Sequence, residues 1–290
     1  MIPGQFEYVR PAGLHDALRI LSEREGDAKV LSGGYSLLPL IKLRLAQPGL
    51  LVDIRDVDGL DEIIETDDSL RIGARATHRS ILENTTVRAG YPLLTDAAGG
   101  IGDPQVRNWG TIGGSCAHAD PSSDWPAVLL ATRATLVCRS STAERTIAAG
   151  DFFIDTFQTA IEPTELLTEV RIPRWAAGSG GAYAKLERRA GDFSTVGCAA
   201  MVTIGSDGRI VDAGIGLTAV ADTPFASAGA RTALIGGQPS DATFRAAGAA
   251  AAAESSPASD GHGPVDYKRA MVDEMTVRAL RSAVQRALGQ

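Results

Sequence analysis

The chain has 290 residues, enough for two domains that each bury a core of their own. Its 28 lysines and arginines stand against 35 aspartates and glutamates, a net charge of -7 with no basic cluster to offset it, which argues against nucleic acid as a partner. Hydrophobic residues at 44% and charged residues at 22% are a globular mixture and exclude general disorder.

The opening MIPGQFEYVRPAG has neither the basic nor the apolar region of a secretion signal, and no apolar run approaches bilayer-spanning length. A cytoplasmic protein without a transmembrane segment is expected. In LHDALRILSE, Leu14, Ala17, Leu18 and Leu21 fall at helical spacing, and a strand follows at 29–31. The first glycine pair, Gly33 and Gly34 in KVLSGGYSLLPLIKLRLA, therefore lies on a strand-to-helix turn. Ser36 is the expected N-cap, Pro39 fits a first turn, and Leu40, Ile41 and Leu43 form the buried stripe. LLVDI (50–54) and LRIGARAT (70–77) read as strands joined by the acidic turn DVDGLDEIIETDDS, and THRSILEN as a short helix.

A second pair, Gly113 and Gly114 in NWGTIGGSCAHADPSSD, leads into DPSSDWPAVLLA. There Asp120 as cap, Pro121 at the first helical position and Asp124 in the opening turn mark a helix start. ATLVCRS and ELLTEVRIP are further strands. RWAAGSGGA (174–182) reads as a linker, and the expected domains are 1–176 and 177–290. Beyond it, GGAYAKLER and the hairpin VGCAAMVTIGSDGRIVDAGIGLTAVA, turning at Ser206, Asp207 and Gly208, give three strands. The alanine-rich remainder is helical by propensity and period, so a three-stranded antiparallel sheet backed by helices is expected.

Cys116, Cys138 and Cys198 are far apart and form no C-x-x-C pair, which fits reduced thiols. His15, His78, His118 and His262 are equally scattered, so no metal site is expected. One isolated Gly-Gly is most simply a tight turn. Two, each joined to a helix start and a small hydroxyl residue, suggest an anion site built from backbone N–H groups. Neither matches G-x-G-x-x-G or G-x-x-x-x-G-K-[ST], which sets aside the Rossmann and Walker loops. Two such loops facing each other suit the two phosphates of one dinucleotide.

LSGGYSLLPLIKLRLAQPGLLVDI, IGDPQVRNWGTIGGSCAHADPSSD and KLERRAGDFSTV together resemble the FAD-binding subunits of molybdenum hydroxylases, nearest to the carbon monoxide dehydrogenase medium subunits, over essentially the whole chain. The resemblance implies an α+β fold: an FAD-binding domain of two α/β subdomains, then a C-terminal sheet-and-helix domain closing over the flavin. It assigns Ser32, Gly33, Gly34, Tyr35 and Ser36 to one side of the pyrophosphate, flanked by Val30, Leu31 and Leu37. Thr111, Gly113, Gly114, Ser115 and the neighbouring Ala117 fall to the other side. Ile101 matches a position near the flavin ring, and Asp124 one that reaches the ribose–adenine end. Lys185, Asp192 and Phe193 match the segment approaching the isoalloxazine. Related carbon monoxide dehydrogenase chains commonly carry tyrosine where this one has Phe193, which keeps ring packing and drops a phenolic hydrogen bond.

Each assignment has a plainer alternative. Asp124 is also what a first helical turn favours, Lys185 suits a solvated strand, and Ile161 and Leu167, assigned to the flavin site with them, suit a core. The resemblance implies an electron-transfer subunit with no catalytic residue of its own. Partner subunits then carry [2Fe–2S] clusters and a molybdopterin molybdenum–copper centre that converts carbon monoxide and water to carbon dioxide. Electrons leave to a quinone or another acceptor from a dimer of heterotrimers that associates peripherally with the inner membrane face. The alternatives are the flavin subunit of another molybdenum hydroxylase, acting on an aldehyde, purine or N-heterocycle, a free-standing FAD oxidase, and an assembly subunit that has lost its flavin.

Overall fold

A computed structural model describes residues 2–289. The chain opens with β1 (Glu7–Val9), α1 (Leu14–Glu23), β2 (Ala28–Leu31), α2 (Leu37–Lys42) and β3 (Leu50–Asp53). The three strands form a parallel sheet in the order β1-β3-β2. Helix α1 buries Ala17, Leu18 and Leu21 of the expected stripe, with Ile20 added to it and Leu14 only half-buried at the edge. All four residues of β3 are buried, as expected of the central strand of a parallel sheet.

The stretch expected to be an acidic turn contains a strand, β4 (Ile63–Glu65), which pairs antiparallel with β5 (Ser69–Gly73). Three residues carry too little alternation to be read as a strand, and pairing with β5 supplies the order. Four short helices follow: α3 (His78–Glu83), α4 (Thr85–Gly90), α5 (Pro92–Gly100) and α6 (Pro104–Trp109), the last two each opening on a proline. Then come α7 (Ile112–His118), α8 (Asp124–Ala131), β6 (Thr135–Arg139), β7 (Glu144–Ala148), the single turn α9 (Ala149–Phe152), the hairpin β8 (Phe153–Asp155) with β9 (Gln158–Thr159), and β10 (Leu166–Pro173). A five-stranded sheet runs β4-β5-β10-β6-β7, antiparallel throughout.

Helix α8 starts later than the sequence suggests. Ser123, not Asp120, sits at its N-cap, and the Asp120 carboxylate accepts from the Ser122 N–H at 2.8 Å in a separate turn. The reason is tertiary: Thr218 Oγ1 lies 2.6 Å from the Pro121 carbonyl and 2.7 Å from the Ser123 carbonyl, its one O–H shared between them, holding this stretch out of helical geometry. All eight residues of α8 are buried, because it is packed on every side.

The second sheet-and-helix unit comprises β11 (Ser179–Leu186), β12 (Val196–Ile204), β13 (Ile210–Thr218), β14 (Phe225–Ala226), α10 (Ala228–Leu234), α11 (Asp241–Glu254) and α12 (Val265–Ala287). The sheet has four strands in the order β11-β12-β13-β14, where three were expected. The fourth is a two-residue edge pairing Ala226 with Gly216, too short to have a period. The expected linker is also shorter, since Gly180 and Gly181 are strand residues. A Cβ on Gly180 would strike the backbone of α12 at Ala287, and one on Gly181 would lie 3.1 Å from Leu93 in α5. These glycines mark close packing on both faces of β11 rather than a flexible hinge. A Cβ on Gly214 or Gly216 would likewise collide with the Ala131 or Ala127 carbonyl of α8. Helices α5 and α8 thus lie on one face of this sheet, with α12 on the other. No helix among the described residues is long and apolar enough to cross a membrane.

Candidate functional site

The first glycine loop leaves the end of β2 and enters α2. Gly34 has φ +83°, a conformation that L side chains rarely adopt, and it turns the chain without a Cβ penalty. No acceptor among the described residues takes the backbone N–H groups of Gly33, Gly34, Tyr35 or Ser36. Four successive free amides are the kind of donors that an anion site uses. Ser36 occupies the N-cap position of α2, but its side chain makes no capping bond, which corrects the expectation and leaves the hydroxyl available. The helix has only six residues. Free N–H groups, more than any helix dipole, are what this loop offers.

The second loop is built differently. Thr111 caps α7, its Oγ1 accepting from the Gly114 N–H at 3.1 Å, while Gly113 N–H donates to the Ala74 carbonyl at 2.8 Å and Ser115 N–H to the Thr111 carbonyl at 3.0 Å. These amides are already used, so the expected symmetry between the two loops does not hold. Ser115 Oγ lies 2.5 Å from Ser123 Oγ. The two loops nevertheless meet, with Ser32 Oγ 3.1 Å from Thr111 Oγ1. A Cβ on Gly33 would run into the Trp109 carbonyl and reach 3.0 Å from the Gly110 Cα, and one on Gly113 would sit 2.5 Å from the Ala74 Cβ. The glycines are needed for loop-on-loop and loop-on-strand approach, a reason that their sequence context did not disclose.

His78 supports the second loop and was not singled out from sequence. Its N–H donates to the Gly110 carbonyl at 2.9 Å, and its Nδ1 accepts from Trp125 Nε1 at 3.0 Å. Burial, reinforced by the Arg107 charge, pulls its pKa down to about 4. A histidine depressed in the folded state stabilises the fold fully above its unfolded value near 6.5, and that contribution is lost as pH falls through the folded value. We expect about 3 kcal/mol of stability to disappear between pH 7 and pH 4 from this group alone. His78→Asn, whose amide oxygen can still accept from Trp125, should flatten that part of the profile in chemical unfolding measured across pH. An unchanged slope would remove His78 as its source.

A third group of residues joins the two units. Asp124, 5% exposed, accepts from Tyr183 Oη at 2.5 Å and Ser194 Oγ at 2.8 Å on Oδ1, and from Lys185 Nζ at 3.1 Å on Oδ2. Burial pushes its pKa up, and Lys185 opposes that. Lys185 is not a solvated strand residue: its side chain is 9% exposed and also donates to the Gly100 carbonyl at 2.9 Å. Next to Gly100, Arg107 fastens the corner by donating to the carbonyls of Ile101 (3.0 Å) and Gly102 (2.8 Å). Gly191, with φ +89°, packs so close to this corner that a Cβ would lie 3.0 Å from the Gly102 carbonyl. Asp192 and Phe193, the latter 55% exposed, follow Gly191 directly in the chain. Tyr183 and Ser194 were missed because only the tertiary fold gives them partners, and Arg107 because its bonds to nearby backbone carbonyls leave no sequence pattern.

The remaining assigned residues are more dispersed. Val30 and Leu37 are half-buried, and Leu31 is buried with Ile41 and Leu51 beneath the first loop. Tyr35 and Ala117 are exposed, Ile161 is half-buried, and Leu167 is buried among the core residues of the five-stranded sheet. Two open surface hollows, of about 480 and 440 Å³, are lined by no residue of either glycine loop. Unpaired amides and converging loops define the site better than concavity does. Among the described residues no group of three or more His, Cys, Asp or Glu is arranged to hold a metal ion. All three cysteines are buried free thiols, with burial pushing Cys138 and Cys198 up to about 12.

Residues 4–175 match the family described as the FAD binding domain in molybdopterin dehydrogenase. The chain belongs to that family. Residues 181–283 match the CO dehydrogenase flavoprotein C-terminal domain. The carbon monoxide dehydrogenase medium chain of Hydrogenophaga pseudoflava is 42% identical over 98% of both chains, and the nicotine 6-hydroxylase medium subunit of Paenarthrobacter nicotinovorans is 36% identical over 95% of this chain and 96% of its own. Among solved structures, the carbon monoxide dehydrogenase of Hydrogenophaga pseudoflava superimposes with a TM-score of 0.95 at 43% identity, covering 99% of each chain. Quinoline 2-oxidoreductase from Pseudomonas putida 86 does so at 0.93 and 34% identity, over 99% of this chain and all of the other.

Proposed function

We propose that this chain is the FAD-carrying electron-transfer subunit of an aerobic carbon monoxide dehydrogenase, with the flavin lying against the two glycine loops and the Ile101–Gly102 corner. The carrying observation is that the Gly33–Ser36 amides stay free while the Ser32 and Thr111 hydroxyls meet beside them. Donors of this kind fit a pyrophosphate, which presents only acceptors and negative charge. FAD, when bound, takes up and hands on electrons singly or in pairs.

The chain's own residues bind and orient. Ser32, Gly33, Gly34, Tyr35 and Ser36 hold phosphate from one side, the last four through backbone N–H groups, and Thr111, Gly113, Gly114 and Ser115 close the opposite side. Val30, Leu31, Leu37 and Ala117 flank the loops, and Ile161 and Leu167 complete the assigned set from the core of the five-stranded sheet. Asp124, matched by resemblance to the ribose–adenine end, is in contact with Lys185 at 3.1 Å, so in this reading it serves the ring end instead. Its remaining acceptor capacity, chiefly at Oδ2, suits one further donor. Ile101, Lys185, Asp192 and Phe193 frame the ring end and limit water there. In this reading the division at residues 176 and 177 separates the part that holds the phosphates from the part that covers the ring.

The reaction, CO + H2O → CO2 + 2 H+ + 2 e−, takes place on a large molybdenum- and copper-bearing partner, and a small [2Fe–2S] partner relays the electrons to this chain. A quinone or similar acceptor takes them on, and two copies of each subunit assemble. The 42% identity over 98% of both chains to a carbon monoxide dehydrogenase medium chain supports that choice. A second reading, the flavin subunit of an N-heterocycle hydroxylase, draws on 37% identity to the 6-hydroxypseudooxynicotine dehydrogenase complex subunit alpha. Anaerobic carbon monoxide added to the complex reconstituted with its large and small subunits should bleach the flavin band, while the isolated chain should not respond. Bleaching of the isolated, metal-free chain would sink the electron-transfer reading, and bleaching of the complex by an N-heterocycle alone would favour the second.

A further inference from the structure

Tyr183 is the one residue that engages both polar joints between β11 and the helices beneath it. Successive residues on a strand point to opposite faces, so Gly181, Tyr183 and Lys185 share the face that lies on α5 and α8. At the first joint Tyr183 N–H donates to Asp96 Oδ2 at 3.1 Å. The same carboxylate takes both terminal nitrogens of Arg286 at 2.6 and 3.0 Å, and Arg286 donates onward to the Gly181 carbonyl at 2.8 Å. At the second joint the Tyr183 hydroxyl donates to Asp124 Oδ1, where Ser194 also donates, and Lys185 takes Oδ2. Lys185 then reaches the Gly100 carbonyl, one residue before Ile101.

We propose that Tyr183 is a positioning residue for the flavin: through Asp124 it fixes both the place and the effective charge of the Lys185 ammonium at the ring end of the site. The inference rests on the FAD reading above. The phenol spreads the Asp124 charge onto a donor held by β11, so that less of that charge neutralises Lys185. Burial raises the phenol's pKa well above its ordinary value, as does the Asp124 charge, so it remains a donor at every working pH. The charges around Asp124 are few: Lys185, with Glu187 3.4 Å beyond it, and the Asp96–Arg286 pair on the far side of Tyr183. In a dry site the field of one ammonium is weakly screened, and charge near the ring tunes a flavin's potential.

The test is a thermodynamic cycle on the full chain loaded with FAD, read by spectroelectrochemical midpoint potential and visible circular dichroism. Lys185→Met removes positive charge and should lower the potential. Tyr183→Phe keeps the ring and removes the hydroxyl, leaving Asp124 more negative beside Lys185, and should lower the potential in the same sense. In the Lys185→Met background Tyr183→Phe should add no further shift, because a buried Asp124 without its counter-ion takes up a proton. Ser194→Ala withdraws a second donor from the same oxygen and should act as a milder Tyr183→Phe, which keeps the idea testable if the tyrosine variant folds poorly. A flavin-free readout accompanies it: Tyr183→Phe and Asp124→Asn should be non-additive in thermal unfolding of the apo chain. An unchanged or raised potential in Tyr183→Phe, or shifts that add in the double variant, overturns the proposal. If Lys185→Met binds FAD with an unaltered potential, the flavin lies away from Lys185 and the placement fails along with the inference. Loss of FAD from Gly33 variants tests the phosphate site separately.

Discussion

Gly33→Val should lose flavin while keeping its fold. The Cβ that valine brings would overlap the Trp109 carbonyl and crowd the Gly110 Cα at 3.0 Å, where ordinary carbon contacts need more than 3.4 Å. The first loop must therefore lift away from the second by on the order of 1 Å, breaking the Ser32–Thr111 contact and misaligning the free amides. Forced overpacking of this kind costs about 1–3 kcal/mol. If most of that falls on the bound geometry, FAD affinity drops by roughly 10- to 100-fold. Gly33 lies on a partly exposed loop, so the melting temperature should move by only a few degrees. Gly150→Ala is the control, since its added Cβ would meet nothing within 4 Å. Flavin absorbance per chain after gel filtration gives the answer, and full flavin retention in Gly33→Val would remove this loop from the site.

The sequence disclosed those parts of the fold whose reasons are local. Helix α1 was legible because four apolar residues recur at helical spacing, and the β12–β13 hairpin because Ser206, Asp207 and Gly208 separate two β-rich runs. Elements of two or three residues, such as β4 and β14, were not, since they exist only by pairing with longer neighbours. Gly180 and Gly181 misled in an instructive way. Glycine serves both flexible linkers and tight packing, and only the positions of α12 and Leu93 decide between them.

At the site the same division applies. The glycine–hydroxyl loops were visible as motifs, but their asymmetry was not, because it depends on Ala74 and Thr111 claiming the second loop's amides. Tyr183, Ser194 and His78 carry no sequence signal that separates them from ordinary strand, loop or helix residues. Their partners lie 59, 70 and 47 positions away.

Asp124→Ala should be the most destabilising single change at the joint between the two units, and its size decides between two accounts of the residue. A carboxylate that only complements a helix terminus contributes about 0.3–1 kcal/mol. One that balances a buried ammonium contributes far more, because its removal strands that charge, typically at about 3–5 kcal/mol. The surroundings favour the larger figure. Asp124 accepts three hydrogen bonds, a load that suits the ionised form, and Lys185 would keep only the Gly100 carbonyl and the more distant Glu187. For a chain of this size we expect a fall in melting temperature of about 10 °C. Pairing Asp124→Leu with Lys185→Met removes both charges at once and should recover much of the loss, since an apolar pair tolerates burial where a lone charge does not. Thermal unfolding of the flavin-free chain, of Asp124→Ala and of the Asp124→Leu/Lys185→Met double variant completes the comparison. A loss below about 1 kcal/mol for Asp124→Ala, or no recovery in the double variant, would reduce Asp124 to an ordinary first-turn acid.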